Sequence, residues 1–131
     1  MEKKPLVKNF DNPDQRPDLP KGHAKLVNMG EMVLLRGTLD PGWRWSNDWQ
    51  KIMGTPSCQM PHFGVTVSGQ WHFEMDDGTS VDLGPGDCYS IPPGHDAWVV
   101  GDEPVVTIDI LPANADKETA RVMEKATHAK A

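Results

Sequence analysis

Glycine and proline set the tightest constraint on this chain. Between residues 25 and 111 they cut it into runs that, residues 43–53 apart, are too short for ordinary helices. Within those runs apolar residues alternate with polar ones. Trp71, Phe73 and Met75 interleave with Gln70, His72, Glu74 and Asp76, a period of two that puts successive side chains on opposite faces of a strand. Val65 and Val67 alternate with Thr66 and Ser68 until Gly69 breaks the run. Asp77-Gly78 follows as a hairpin signal, since this pair suits the backbone of a tight turn. Residues 79–83 and 88–91 read as short strands separated by Gly84-Pro85-Gly86-Asp87, and Pro92-Pro93-Gly94 stops the second. Residues 31–39 open the series and residues 98–100 and 105–111 complete it. Short strands at this spacing predict an all-β domain, either an antiparallel sandwich or a barrel.

The segments outside this pattern read differently. At 131 residues the chain has room for one core. Residues 1–22 carry Pro5, Pro13, Pro17 and Pro20 and predict an extended N-terminal arm. Such an arm wraps its own domain or a partner subunit, or stays loosely ordered. Residues 113–131, rich in Ala, Lys, Met and Arg, predict a short C-terminal helix. That leaves residues 23–112 for the β domain. Within it, residues 42–61 read as an irregular loop with strands at its ends. Trp43, Trp45 and Trp49 fall close together there and require burial. Core or subunit interface is the simpler role for them, and a pocket wall that stacks on an organic ligand is the functional one.

Charge and composition narrow the function. A net charge of -6 disfavours non-specific nucleic-acid binding, which needs a basic face. No apolar run approaches the roughly 20 residues that cross a bilayer, so no membrane association is expected. Residues 1–8 are charged and lack the apolar stretch of a secretion signal, which predicts a cytoplasmic location. Cys58 and Cys88 are the two cysteines, and a reducing compartment leaves both as thiols. There is no Gly-x-Ser-x-Gly elbow, no phosphate-cradling Gly-Lys-Ser/Thr loop and no Cys-x-x-Cys pair.

Two segments resemble the cupin superfamily. The first is Pro61-His62-Phe63-Gly64-Val65-Thr66-Val67-Ser68-Gly69 with the alternating strand after it. It is similar to the second half of the first cupin motif. The second, Gly86-Asp87-Cys88-Tyr89-Ser90-Ile91-Pro92-Pro93-Gly94-His95, resembles the second cupin motif. The resemblance spans roughly residues 40 to 110. It implies a cupin-type antiparallel β-barrel (jelly roll), a small-molecule pocket, and a homodimer paired through sheets and arms. It also marks departures. His62 stands where the family has a glutamate, the first-motif histidine positions fall near Thr55 and Ser57, and the second-motif histidine position holds Ala97. The usual set of three histidines and one glutamate is therefore not present as such.

A rearranged site remains. Cys58 and His62, four apart, face one point if they flank a bend, and His95 follows on a strand that the cupin fold places nearby. Cys58, His62 and His95 are the candidate metal ligands, for Zn²⁺ or Fe²⁺ with an open position. Asp96 is a candidate oxygen ligand or a partner that orients His95. The competing roles are a wall residue for His62, a turn-holding hydrogen bond for His95 and a packed thiol for Cys58. Cys88 and His72 are weaker candidates, and His23 and His128 are expected in solvent. Trp43, Trp45, Tyr89 and Trp98 are the candidate pocket residues. Two functions follow. One is an enzyme, a lyase, isomerase or dioxygenase, with His62 and His95 catalytic. The other is a non-catalytic binding or sensing module with a vestigial site.

Overall fold

The computed structural model describes residues 4–112. The helix expected over residues 113–131 lies outside the described residues. Nine strands and two one-turn helices follow in the order β1 (Asp18–Leu19), β2 (Gly22–Asn28), β3 (Met32–Leu39), α1 (Trp45–Asp48), α2 (Gln50–Met53), β4 (His62–Ser68), β5 (Gln70–Met75), β6 (Ser80–Leu83), β7 (Cys88–Ile91), β8 (His95–Val100) and β9 (Val105–Pro112). All strand pairs are antiparallel. They form a six-stranded sheet, β1-β2-β3-β9-β4-β7, and a three-stranded sheet, β6-β5-β8.

The main core lies between the two sheets. Leu39, Tyr89, Ile91 and Val105 come from the larger sheet and meet Trp71, Phe73, Ala97 and Val99 from the smaller. The alternation of β5 drives this packing: Trp71 and Phe73 are buried while Gln70 and Glu74 are exposed. The chain changes sheets at Gly69. There φ is +83°, and an added Cβ would meet the Pro104 carbonyl oxygen and Val105, so only glycine turns this corner without a clash.

Two features depart from the sequence reading, and a third decides between alternatives that it leaves open. Residues 42–61 are not wholly irregular, because α1 and α2 fall within them. The first helix is held from a distance: the Asp96 carboxylate accepts from the Ser46 backbone N–H at 3.0 Å and the Ser46 hydroxyl at 2.8 Å. Local sequence does not announce a helix stabilised by a residue fifty positions away. The second feature is β2, which pairs along its whole length with β3. Leu26 and Val27 are adjacent and both buried, which breaks the period-two signal that marks the other strands. The third is the arm. Asp14 accepts from Lys8 at 2.8 Å and from the Asn28 backbone at 2.7 Å, and Pro17 accepts from Ala24 at 2.9 Å. Residues 14–19 thus run along β2 of their own domain.

Candidate metal centre

His95 opens β8 directly after a turn in which Gly94 takes φ +95°. The side chain is 1% exposed. Its Nδ1 lies 2.9 Å from the Pro92 carbonyl oxygen. A carbonyl can only accept, so Nδ1 donates to it and Nε2 is the nitrogen left for another partner. That Nε2 is buried with no hydrogen-bond partner. A polar atom stranded in this way costs about 1–3 kcal/mol, a cost that a bound cation removes. The turn-holding role and the ligand role proposed for His95 are thus compatible: the first aims the ring for the second.

Cys58 reaches the same point through a β-bridge to His95. Its N–H donates to the His95 carbonyl at 2.7 Å, and its own carbonyl accepts from Gly94 at 2.8 Å. This stitches the loop after α2 to the start of β8 and buries the thiol. His62 is the first residue of β4 and is partly buried. The ring centroids of His62 and His95 are 5.1 Å apart, with Phe73 packed edge-on to both at 5.8 and 5.1 Å. One potential ligand atom each from Cys58, His62 and His95 lie within 4.8 Å of one another. A thiolate and two imidazoles at this separation suit a Zn²⁺-like transition metal with small adjustments, since metal–ligand bonds of about 2.0–2.3 Å set the final spacing.

Asp109 completes the arrangement. It is buried on β9, with Oδ2 3.5 Å from His62 Nδ1. The Tyr89 hydroxyl donates to Oδ1. Gly64 makes room for it. The two residues are register partners on β4 and β9, and a Cβ on Gly64 would run into the Ile108 carbonyl and Asp109 Oδ1. Facing Asp109 through Nδ1, His62 has Nε2 left as its ligand atom. A carboxylate behind a metal-bound imidazole fixes its tautomer and raises its basicity.

The electrostatics agree with the geometry. Burial pushes the Cys58 thiol up, but His62 and then His95 outweigh it and bring the pKa down to about 6. Burial pushes His62 down, but Asp109 and Cys58 outweigh it and raise the imidazole to about 9. Burial, followed by the Asp109 charge, holds the Tyr89 phenol well above its ordinary range and keeps it a donor. Near neutral pH the metal-free site therefore carries a thiolate beside an imidazolium. The thiolate is the ligand form of cysteine.

The other sequence candidates divide. Trp43 and Trp45 line a cavity of about 240 Å³ that Cys58, His62 and His95 also line. Tyr89 is buried but lies outside that lining, and its contribution is the bond to Asp109. Trp98 points away, because Ala97 and Val99 take the inward positions of β8. It stacks on His72 at 4.5 Å, with Arg44 4.2 Å from its ring centre. Asp96 faces outward for the same reason and is engaged by Ser46 and Arg44, so it is neither a ligand nor a partner of the His95 side chain. His72 bonds Asp82 on the outer face, Cys88 is exposed, and His23 is exposed although it borders the cavity. His128 lies outside the described residues. Asp109 is not among the sequence candidates. Its signal in the sequence is an acid in Val-Val-Thr-Ile-Asp-Ile-Leu, in phase with Thr107, which marks a buried carboxylate that needs partners.

No family model and no curated protein matches this sequence. Solved structures do match. Ectoine synthase from P. lautus aligns with a TM-score of 0.63 at 10% identity, over 82% of this chain and 78% of that one. KdgF from Halomonas sp. aligns with a TM-score of 0.56 at 19% identity, over 83% and 94%. A sugar phosphate isomerase of the cupin superfamily from Silicibacter pomeroyi aligns with a TM-score of 0.52 at 16% identity, over 70% of this chain. The chain spans 59% of that isomerase. At these identities the likeness establishes the fold, and this chain has the fold of the cupin superfamily. Among the described residues no helix is long and apolar enough to cross a membrane.

Proposed function

We propose that this cupin binds a divalent transition metal, Zn²⁺ or Fe²⁺, through Cys58, His62 and His95, and acts on a small molecule in the adjoining cavity. The observation that carries this reading is the buried, unpartnered Nε2 of His95, aimed at a thiolate and a second imidazole. A metal held by three protein ligands keeps a position for water or substrate and supplies Lewis acidity there. The protein's own residues do the rest. Pro92 and Asp109 orient the imidazoles, Phe73 walls them, and the apolar cavity limits access of water. The cupin-fold neighbours include proteins described as an isomerase and a synthase, which supports a catalytic role of the lyase, isomerase or dioxygenase kind.

A second reading, a non-catalytic binding or sensing module, draws on one observation. Asp109 is the one carboxylate among the described cavity residues, and both of its oxygens are engaged by Tyr89 and His62. No free carboxylate base therefore faces a substrate. Elemental analysis of the purified protein tests the metal. About one equivalent in the wild type, lost in His95→Ala, supports the centre. Metal-free protein that takes up none on incubation with Zn²⁺ or Fe²⁺ removes it.

We also propose a cytoplasmic homodimer. In β4 and β9 the apolar residues Phe63, Val65, Val67, Val106, Ile108 and Ile110 alternate with the inward positions and face away from the core. Phe63 is 60% and Val67 46% exposed, and a second copy of this face would cover them.

A further inference from the structure

The cavity beside the three ligand residues has its own chemistry. It is walled by Trp43, Trp45, Trp49, Met53, Trp71 and Phe73. No lysine or arginine is among the described residues that line it. Its one carboxylate, Asp109, is bonded to Tyr89 and paired with His62. With no metal bound, an anionic ligand entering here would lose its hydration and find only imidazoles already engaged by Asp109 and Pro92, a cost of several kcal/mol. The volume, about 240 Å³, exceeds the roughly 150 Å³ that holds benzene and falls below the roughly 300 Å³ where drug-sized pockets begin.

Besides His95 Nε2, one polar group in the wall is unanswered. Trp49 Nε1–H donates to the Pro20 carbonyl at 2.7 Å, and Trp71 Nε1–H donates to Thr66 Oγ1 at 2.9 Å. Trp43 is 4% exposed, and its Nε1–H is buried with no partner. A buried indole N–H ordinarily finds an acceptor.

We propose that the ligand of this cavity is a neutral, largely apolar molecule about the size of one substituted ring, carrying an oxygen acceptor that receives the Trp43 indole N–H. This deepens the proposed function and rests on the cavity being the working site, but it does not depend on the metal. It sets the chain apart from its fold neighbour described as a sugar phosphate isomerase, whose named substrate is an anion.

Indole ¹H–¹⁵N cross-peaks of the full chain test it, with the Trp43 peak assigned by its disappearance in Trp43→Phe. Four probes are titrated: acetophenone, ethylbenzene, benzoate and glucose 6-phosphate. The expected result is a saturable shift of the Trp43 peak with acetophenone. Ethylbenzene, which has the ring but no acceptor, should bind about 3- to 10-fold more weakly, the value of one hydrogen bond. On the chelator-treated protein, benzoate should bind at least about 10-fold more weakly and glucose 6-phosphate not at all. In Trp43→Phe the preference for acetophenone over ethylbenzene should disappear. On the chelator-treated protein, benzoate or the sugar phosphate binding as tightly as acetophenone overturns the proposal, as does the absence of binding by all four. The wild-type ranking decides even if Trp43→Phe does not fold. Running the titration on chelator-treated and on zinc-loaded protein keeps the two readings apart. Acetophenone binding to protein that takes up no zinc in the loading step sinks the metal centre and leaves this inference standing.

Discussion

Asp109 acts on the site through His62. Its buried carboxylate faces one imidazole nitrogen and leaves the other for a ligand. Asp109→Asn should lower Zn²⁺ affinity about 10- to 100-fold, read by competition with a chromophoric chelator, while one equivalent still binds at saturation. Unchanged affinity would make Asp109 a packing residue only. The neighbouring charges also predict a pH profile for the metal-free protein. His62 is raised from 6.5 to about 9, so its contribution to stability is complete below 6.5 and lost as pH rises through about 9. Cys58 is lowered from 9.0 to about 6, so its contribution is complete above 9.0 and lost as pH falls through about 6. The two slopes oppose each other, and the Tm of the metal-free chain should peak between about pH 6 and 9. Thiolate absorbance near 240 nm (a flag independent of folding) should appear with a midpoint near pH 6. A midpoint above 8 would show that the imidazoles do not stabilise the thiolate.

At the scale of elements, β8 separates structure from chemistry by alternation alone. His95 and Ala97 face in, while Asp96 and Trp98 face out. Asp96 holds α1 with its carboxylate, so Asp96→Ala should destabilise the fold by about 1–2 kcal/mol in urea denaturation and leave Zn²⁺ affinity within about threefold. A large loss of affinity would place Asp96 at the metal after all. Most strands were legible, because β3 through β7 and β9 are short apolar or alternating runs bounded by Gly or Pro. β2 was not, since adjacent Leu26 and Val27 bury side chains on both faces. The helices were not, since α1 depends on a carboxylate distant in sequence. In the site, Cys58, His62 and His95 could be picked out as ligand types close to family motif positions. Tyr89 and Trp98 could not be placed, because facing depends on the phase of each strand rather than on residue type. β4 and β9 mislead most. Their inward positions hold His62, Gly64, Thr66, Thr107 and Asp109 beside Val105 and Leu111, while Phe63, Val67, Ile108 and Ile110 face out. That inversion of the usual rule is what gives the interior its polar groups.

For the whole molecule, the same inversion leaves an apolar stripe on the outside of the larger sheet. Multi-angle light scattering at micromolar concentration should give a homodimer mass, and Phe63→Glu together with Val67→Lys should give a monomer that retains the β-rich circular dichroism of the parent. A wild-type monomer would rule out this use of the face. The interior of the same fold carries the central claim, that Cys58, His62 and His95 together form a metal centre. Cobalt titration of the metal-free protein tests it most directly, because Co²⁺ reports both its ligands and their geometry. The expected outcome is saturation at one equivalent, with a thiolate-to-cobalt charge-transfer band and the intense visible bands of a tetrahedral site. Cys58→Ser should abolish the charge-transfer band, and His62→Ala and His95→Ala should each weaken binding. A wild-type spectrum without the thiolate band, or one unchanged in all three variants, would contradict the account.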